Sequence, residues 1–114
     1  VFSLYSPSFY ALDLDVDGAV LIPAGTKLLR DSGDQFSEVY AADSDITTLL
    51  VKDGEWWLGT RNDGVLYYDG STWTNITTAD GLPSNHFYTN AILVDALGTI
   101  WFAPQPGGLA RWSR

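Results

Sequence analysis

The chain has no cysteine, one histidine and only six basic side chains among 114 residues. The missing thiols exclude disulfides, thiolate metal sites and cysteine nucleophiles together. His86 stands alone, and no serine or carboxylate spacing singles out a catalytic partner for it, so it is read as a structural or exposed residue before a general base. Six basic against fourteen acidic residues give a net charge of −8, which repels phosphate backbones and anionic headgroups at long range. Nucleic acid and membrane surfaces are thereby poor partners, and neither is expected. No apolar run approaches the roughly 18 residues of a spanning helix, and the stretch 1–10 lacks the basic start of a signal peptide. The chain opens at Val1, as a processed form or an excised fragment would.

Sustained helical periodicity is scarce too, and what takes its place is short. Apolar and aromatic runs of four to six residues are broken by Asp-Gly, Gly-Thr and Asn-Asp-Gly, the pattern of many short strands. With 46% hydrophobic and 18% charged residues, the composition is that of a folded all-β domain. The acids are scattered among Gly, Asn and Ser, which serves solubility; cation or sugar binding by a few of them is the sharper alternative.

The strands repeat. Phe2-Ser3-Leu4-Tyr5-Ser6, Phe36-Ser37-Glu38-Val39-Tyr40 and Trp73-Thr74-Asn75-Ile76-Thr77 share an aromatic, a small hydroxyl, a free position and an apolar residue. A turn Gly lies three residues before a large apolar side chain in Gly18/Leu21, Gly54/Trp57 and Gly98/Trp101. A further strand follows Gly25, Gly64 and Gly108. Four antiparallel strands in a unit of about 40 residues make a β-propeller blade. The continuous runs Trp56-Trp57-Leu58 and Ile100-Trp101-Phe102 fit strands covered on both flat sides by neighbouring blades. The fold expected is therefore an all-β propeller segment of three four-stranded blades: blade one about 8–40, blade two about 45–78, blade three about 86–114, the last closed by an outer strand at 1–6.

These residues resemble the two-component regulator propeller repeats of bacterial sensor proteins. The resemblance rests on Asp80-Gly81-Leu82-Pro83-Ser84-Asn85, Asp95, Gly98, Ile100-Trp101, Gly107-Gly108-Leu109 and Arg111-Trp112. The preceding unit carries the similar Trp57-Leu58-Gly59-Thr60 and Gly64-Val65-Leu66-Tyr67-Tyr68-Asp69-Gly70. The match runs from about Asp45 to Arg114; before that only the skeleton survives. The chain departs from the pattern between Asn85 and Asp95, which is two residues longer, and at Ala103-Pro104, where Gly-Thr is expected. What the resemblance implies is a ligand-sensing or protein-contacting propeller outside the cytoplasm, periplasmic or secreted, with no catalytic residue.

Counted around a closed circle, Phe2, Phe36 and Trp73 are 34, 37 and 43 residues apart and account for the whole chain. Three blades closing alone would each turn by roughly 120°, against the 4 to 8 blades of most propellers. Left open, they expose apolar faces and strand edges. Two chains make six blades and three chains make nine, so a two-fold ring is favoured, with Phe2–Ser6 of each protomer adding a strand to the other's last blade. A piece of a longer or an engineered propeller is the competing reading.

Asp13-Leu14-Asp15-Val16-Asp17-Gly18 has the opening of a calcium loop. The twelfth position is Ala24 and the ninth Leu21, however, and Asp15 aligns with Asp95 in a unit without such a run, so turn capping is the expected role. Tyr67, Tyr68 and Trp73 are expected in the core or rim before a sugar-stacking role, and the sequon at Asn75 is read as chance. No metal or cofactor is expected. A small ligand is expected on one rim, in the loops Pro23–Gly25, Ala41–Asp45, Thr60–Gly64, Thr78–Asn85 and Ala103–Gly108, where Arg61, Asn62, Asp63, Asp80, Asn85 and Gln105 could contact a sugar or peptide. The function expected is a non-enzymatic recognition or assembly scaffold whose partners are itself and a glycan or peptide. The alternative is a lectin or polysaccharide-active enzyme, though glycosidases need two positioned carboxylates and no pair has privileged spacing.

Overall fold

The computed structural model describes residues 13–112 apart from positions 16, 32, 34, 89 and 90. The expected outer strand Phe2–Ser6 lies outside the described residues. Among the described residues, eleven strands fall into three antiparallel sheets, each built from consecutive neighbours in the chain. The first sheet holds β1 (Asp13–Leu14), β2 (Val20–Ala24), β3 (Lys27–Asp31) and β4 (Phe36–Ala41). The second holds β5 (Ile46–Lys52), β6 (Glu55–Thr60), β7 (Val65–Tyr68) and β8 (Trp73–Ile76). The third holds β9 (Ile92–Val94), β10 (Ile100–Phe102) and β11 (Ala110–Arg111), three strands among the described residues. A short 3-10 turn, Thr78–Asp80, follows β8.

Turn chemistry sets the registers. Asp53 and Gly54 both take positive φ, 55° and 80°, which gives the two-residue hairpin whose twist matches its strands and pairs Lys52 with Glu55. Asp15 and Asp95 close the same turn in the first and third sheets: each donates its N–H to the residue four positions on, Ala19 at 2.8 Å and Thr99 at 2.9 Å, and accepts from Gly18 and Gly98. Asp15 thus occupies the turn position of Asp95, and its carboxylate accepts from the Trp56 indole N–H at 3.2 Å. Arg30 pairs with Asp15 at 3.6 Å and with Asp17, so a cationic side chain of the protein itself sits where the calcium-loop pattern would hold a metal.

Side chains alternate across the second sheet and are buried on both faces. Trp56, Leu58 and Leu66 meet Leu21 and Leu28 of the first sheet, while Trp57, Val65 and Tyr67 meet Ile92, Ile100 and Phe102 of the third. Trp56 and Trp57 are only 5% and 2% exposed; the unbroken apolar run is a strand with two dry faces. The third sheet differs. Ile100 and Phe102 are buried, whereas Trp101, pointing the other way, is half-buried and its cross-strand partner Leu93 is 56% exposed. Continuous apolar sequence there corresponds to burial on one face among the described residues.

Candidate functional site

Main-chain hydrogen bonds gather the loops at one rim. Ile46 N–H donates to Gly25, Arg61 to Asp45, Gly64 to Asn85, Phe87 to Thr60 and Gln105 to His86, at 2.8–2.9 Å. The loop between β6 and β7 is closed by Thr60, whose hydroxyl donates to the Gly64 carbonyl at 2.8 Å and accepts from Asp63 N–H at 2.9 Å. Gly64 has φ of 74° and its missing side chain leaves room for the Ile76 carbonyl, so glycine is required on both counts. Against this loop lies the segment 84–88, anchored by Phe87, which is fully buried in the core. Thr47, also buried, donates its hydroxyl to the Phe87 carbonyl, satisfying both groups.

His86 is at the centre of the rim. Its Nδ1 is 3.1 Å from the Arg61 carbonyl and 3.3 Å from Asn62 Oδ1. A carbonyl only accepts, so Nδ1 carries the hydrogen and the neutral ring keeps its lone pair on Nε2. The ring stacks on Tyr88, centroids 5.5 Å apart at 22°, and the Arg61 guanidinium lies 5.7 Å from the other aromatic centroid, that of Tyr88. Arg61 is also held by Asp45, Nε to Oδ2 3.7 Å, and Gln105 Oε1 accepts from Tyr88 N–H at 3.1 Å. A cation, an exposed phenol ring, an imidazole and two amides are thus brought together by three chain segments. Such a set can face a flat, hydroxyl-bearing ligand: the ring offers a stacking face and the polar groups fix orientation.

Of the six residues expected at a ligand site, Arg61, Asn62 and Gln105 belong to this cluster. Asp63 lines a separate cleft of about 220 Å³ with Tyr40, Asp43, Leu66 and Asn75. Asp80 lines another of about 330 Å³ with Thr74, Leu82, Arg111 and Trp112, and its carboxylate accepts from Thr77 N–H at 2.9 Å in a reciprocal capping box. Asn85 reaches the cluster's edge through its main chain, while its Oδ1 accepts from Thr78 N–H at 2.8 Å. Tyr88 was not among the expected residues, and His86 was expected to be structural or exposed, not part of a site. Tyr88 had one available signal, an aromatic next to a buried Phe in a polar loop.

Elsewhere, Tyr67 is buried in the core and Trp73 stacks on Tyr40 at 4.2 Å. Asn75 Nδ2 donates to the carbonyls of Asp63 and Val65 at 2.8 and 3.2 Å. Among the described residues no group of three His, Cys, Asp or Glu is placed to hold a metal ion, and no helix is long and apolar enough to cross a membrane.

No family model and no curated protein matches the sequence. Solved structures of propeller-like fold do match. One is the extracellular domain of the hybrid two component system BT4673 from B. thetaiotaomicron, at 21% identity and a TM-score of 0.76, covering 100% of this chain and 17% of that one. A second structure of that protein's extracellular domain matches with a TM-score of 0.69. Another is a catalytically inactive H270A virginiamycin B lyase from Staphylococcus aureus with quinupristin, at 15% identity and a TM-score of 0.59, covering 93% of this chain and 41% of that one. The chain therefore spans about a sixth of the first of these. At such identities the likeness is one of fold.

Proposed function

We propose that the chain is a three-bladed β-propeller segment acting as a non-enzymatic recognition module of an extracytoplasmic sensor, completed to six blades by a second copy. The reading is carried by the stacked layer of Arg61, Tyr88 and His86 on one rim, flanked by Asn62 and Gln105. It has an exposed aromatic face and a tautomer set by the main chain, both of which suit binding a neutral, hydroxyl-rich ligand or a peptide. The fold likeness to a sensor's extracellular domain supports the same class. The Asp45 carboxylate is already paired with Arg61 of the layer, which favours binding over glycoside hydrolysis by a carboxylate pair.

Glycan and peptide arrays probed with the parent and with Tyr88→Ala test this. A ligand retained by the parent and lost by the variant at equal thermal stability is the expected result. Turnover of a bound glycan would establish the enzyme reading instead, and a ligand bound equally by both proteins would move the site away from the layer.

A further inference from the structure

The three sheets are copies in register, which makes their faces comparable residue by residue. Leu21, Trp57 and Trp101 each lie three residues after a turn Gly and pair across the hairpin with Arg30, Tyr67 and Arg111. In the first and second sheets this face is buried by the following sheet: Leu21 packs against the second and Trp57 with Tyr67 against the third. On the third sheet the same face carries Trp101, Arg111 and Leu93 and is open among the described residues. The opposite face of the first sheet carries Val20 and Ile22, half-buried, at the positions where Trp56 and Leu58 are buried in the second sheet, and Asp31, the counterpart of Tyr68 and Trp112.

At the joint between the second and third sheets, Tyr67 meets Trp112 with ring centroids 4.6 Å apart. The equivalent residues on the two open faces are Arg111 and Asp31. Opposite charges thus stand where a neighbouring joint has an aromatic contact, and neither residue forms an ion pair among the described residues.

Resting on the propeller-segment reading, we infer that the open face of the third sheet receives the open face of the first sheet of a second copy. Arg111 meets the partner copy's Asp31, and Trp101 with Leu93 packs on Val20 and Ile22. Two such joints related by a two-fold axis close the ring. Charge complementarity sets the register, and apolar burial supplies most of the affinity.

Charge exchange tests it on the full chain. Light scattering should find two chains for the parent. Arg111→Asp and Asp31→Arg each place like charges in both joints of a homodimer, and each should raise the dissociation constant about tenfold or more. An equimolar mixture of the two variants restores opposite charges in both joints and should recover the two-chain mass. A parent of one or three chains, single variants with the parent's affinity, or a mixture that fails to reassociate from folded variants would each overturn the proposal. The parent's mass decides even if a variant fails to fold. A single-chain parent that still binds its ligand through Tyr88 would remove this joint and leave the recognition reading standing.

Discussion

The indole N–H of Trp101 donates to the Asp95 carboxylate at 2.9 Å within one sheet, and that of Trp56 donates to Asp15 at 3.2 Å between two sheets. Asp95 uses its other oxygen to accept from Leu97 and Thr99 N–H at 2.9 and 3.0 Å. One turn motif therefore holds a tryptophan of its own sheet in one copy and of the next sheet in the other.

The Trp101 bond, followed by the Thr99 N–H, holds the Asp95 carboxyl below its ordinary 3.8. A depressed carboxyl contributes stability that is complete above the ordinary value and is lost as pH falls through the folded one. Urea titrations of the parent and Asp95→Asn at pH 7 and pH 3 should show a smaller pH effect in the variant. Equal pH effects in both would remove Asp95 from the acid response. Asp69, lowered mainly by Thr72 and Ser71 N–H, contributes with the same sign.

Equivalent tryptophans should behave differently. Trp57→Ala opens a cavity between two sheets and is expected to cost about 3–5 kcal/mol. Trp101→Ala, on the open face, should cost the isolated chain markedly less and weaken association instead. Denaturation at low protein concentration, paired with mass measurement, separates the two effects. Equal losses of stability would mean that Trp101 is covered within its own chain.

Glycine is needed at position 59 for space, not for backbone freedom. A Cβ there would collide with Thr48 Cγ2 and lie 3.1 Å from Phe87 Cβ, and both neighbours are buried. Gly59→Ala should destabilise by about 1–3 kcal/mol, whereas Gly107→Ala, with nothing within 4 Å, should be neutral. Matching melting curves for the two variants would contradict the packing described.

Neighbours at the rim divide core from site. Phe87→Ala is expected to cost about 3–5 kcal/mol and Tyr88→Ala, 41% exposed, within about 1 kcal/mol. A large loss at Tyr88 in thermal melts would make that ring structural and unsuited to a ligand platform.

Much of this was legible in advance because it is local. Asp53-Gly54 announces its hairpin, the Gly-to-apolar spacing marks the second strand of each unit, and Asp15 reveals its turn by matching Asp95. Burial is another matter. Trp57 and Trp101 occupy one repeat position, yet what covers each depends on whether another sheet follows, and spacing within a repeat carries no such information. The rim was legible only in outline, since its loops follow from strand order. His86 looked isolated because its partners, the Arg61 carbonyl and Asn62, lie 25 and 24 positions away and one of them is main chain, which leaves no trace in side-chain spacing. That Asp80 and Asn85 accept from Thr77 and Thr78 N–H was not legible, since polar loop side chains that serve a ligand and those that cap a turn are chemically the same.

The anchoring of 84–88 has a consequence for how the chain comes apart. This segment leads into the third sheet but is fastened to the second, through Gly64, Thr60 and Thr47, with Gln105 fastened in turn to His86. The third sheet cannot peel away without first breaking main-chain bonds that belong to its neighbour. The second and third sheets should therefore open as one cooperative unit, with the main-chain amides of Gly64, Phe87 and Gln105 exchanging at a common free energy.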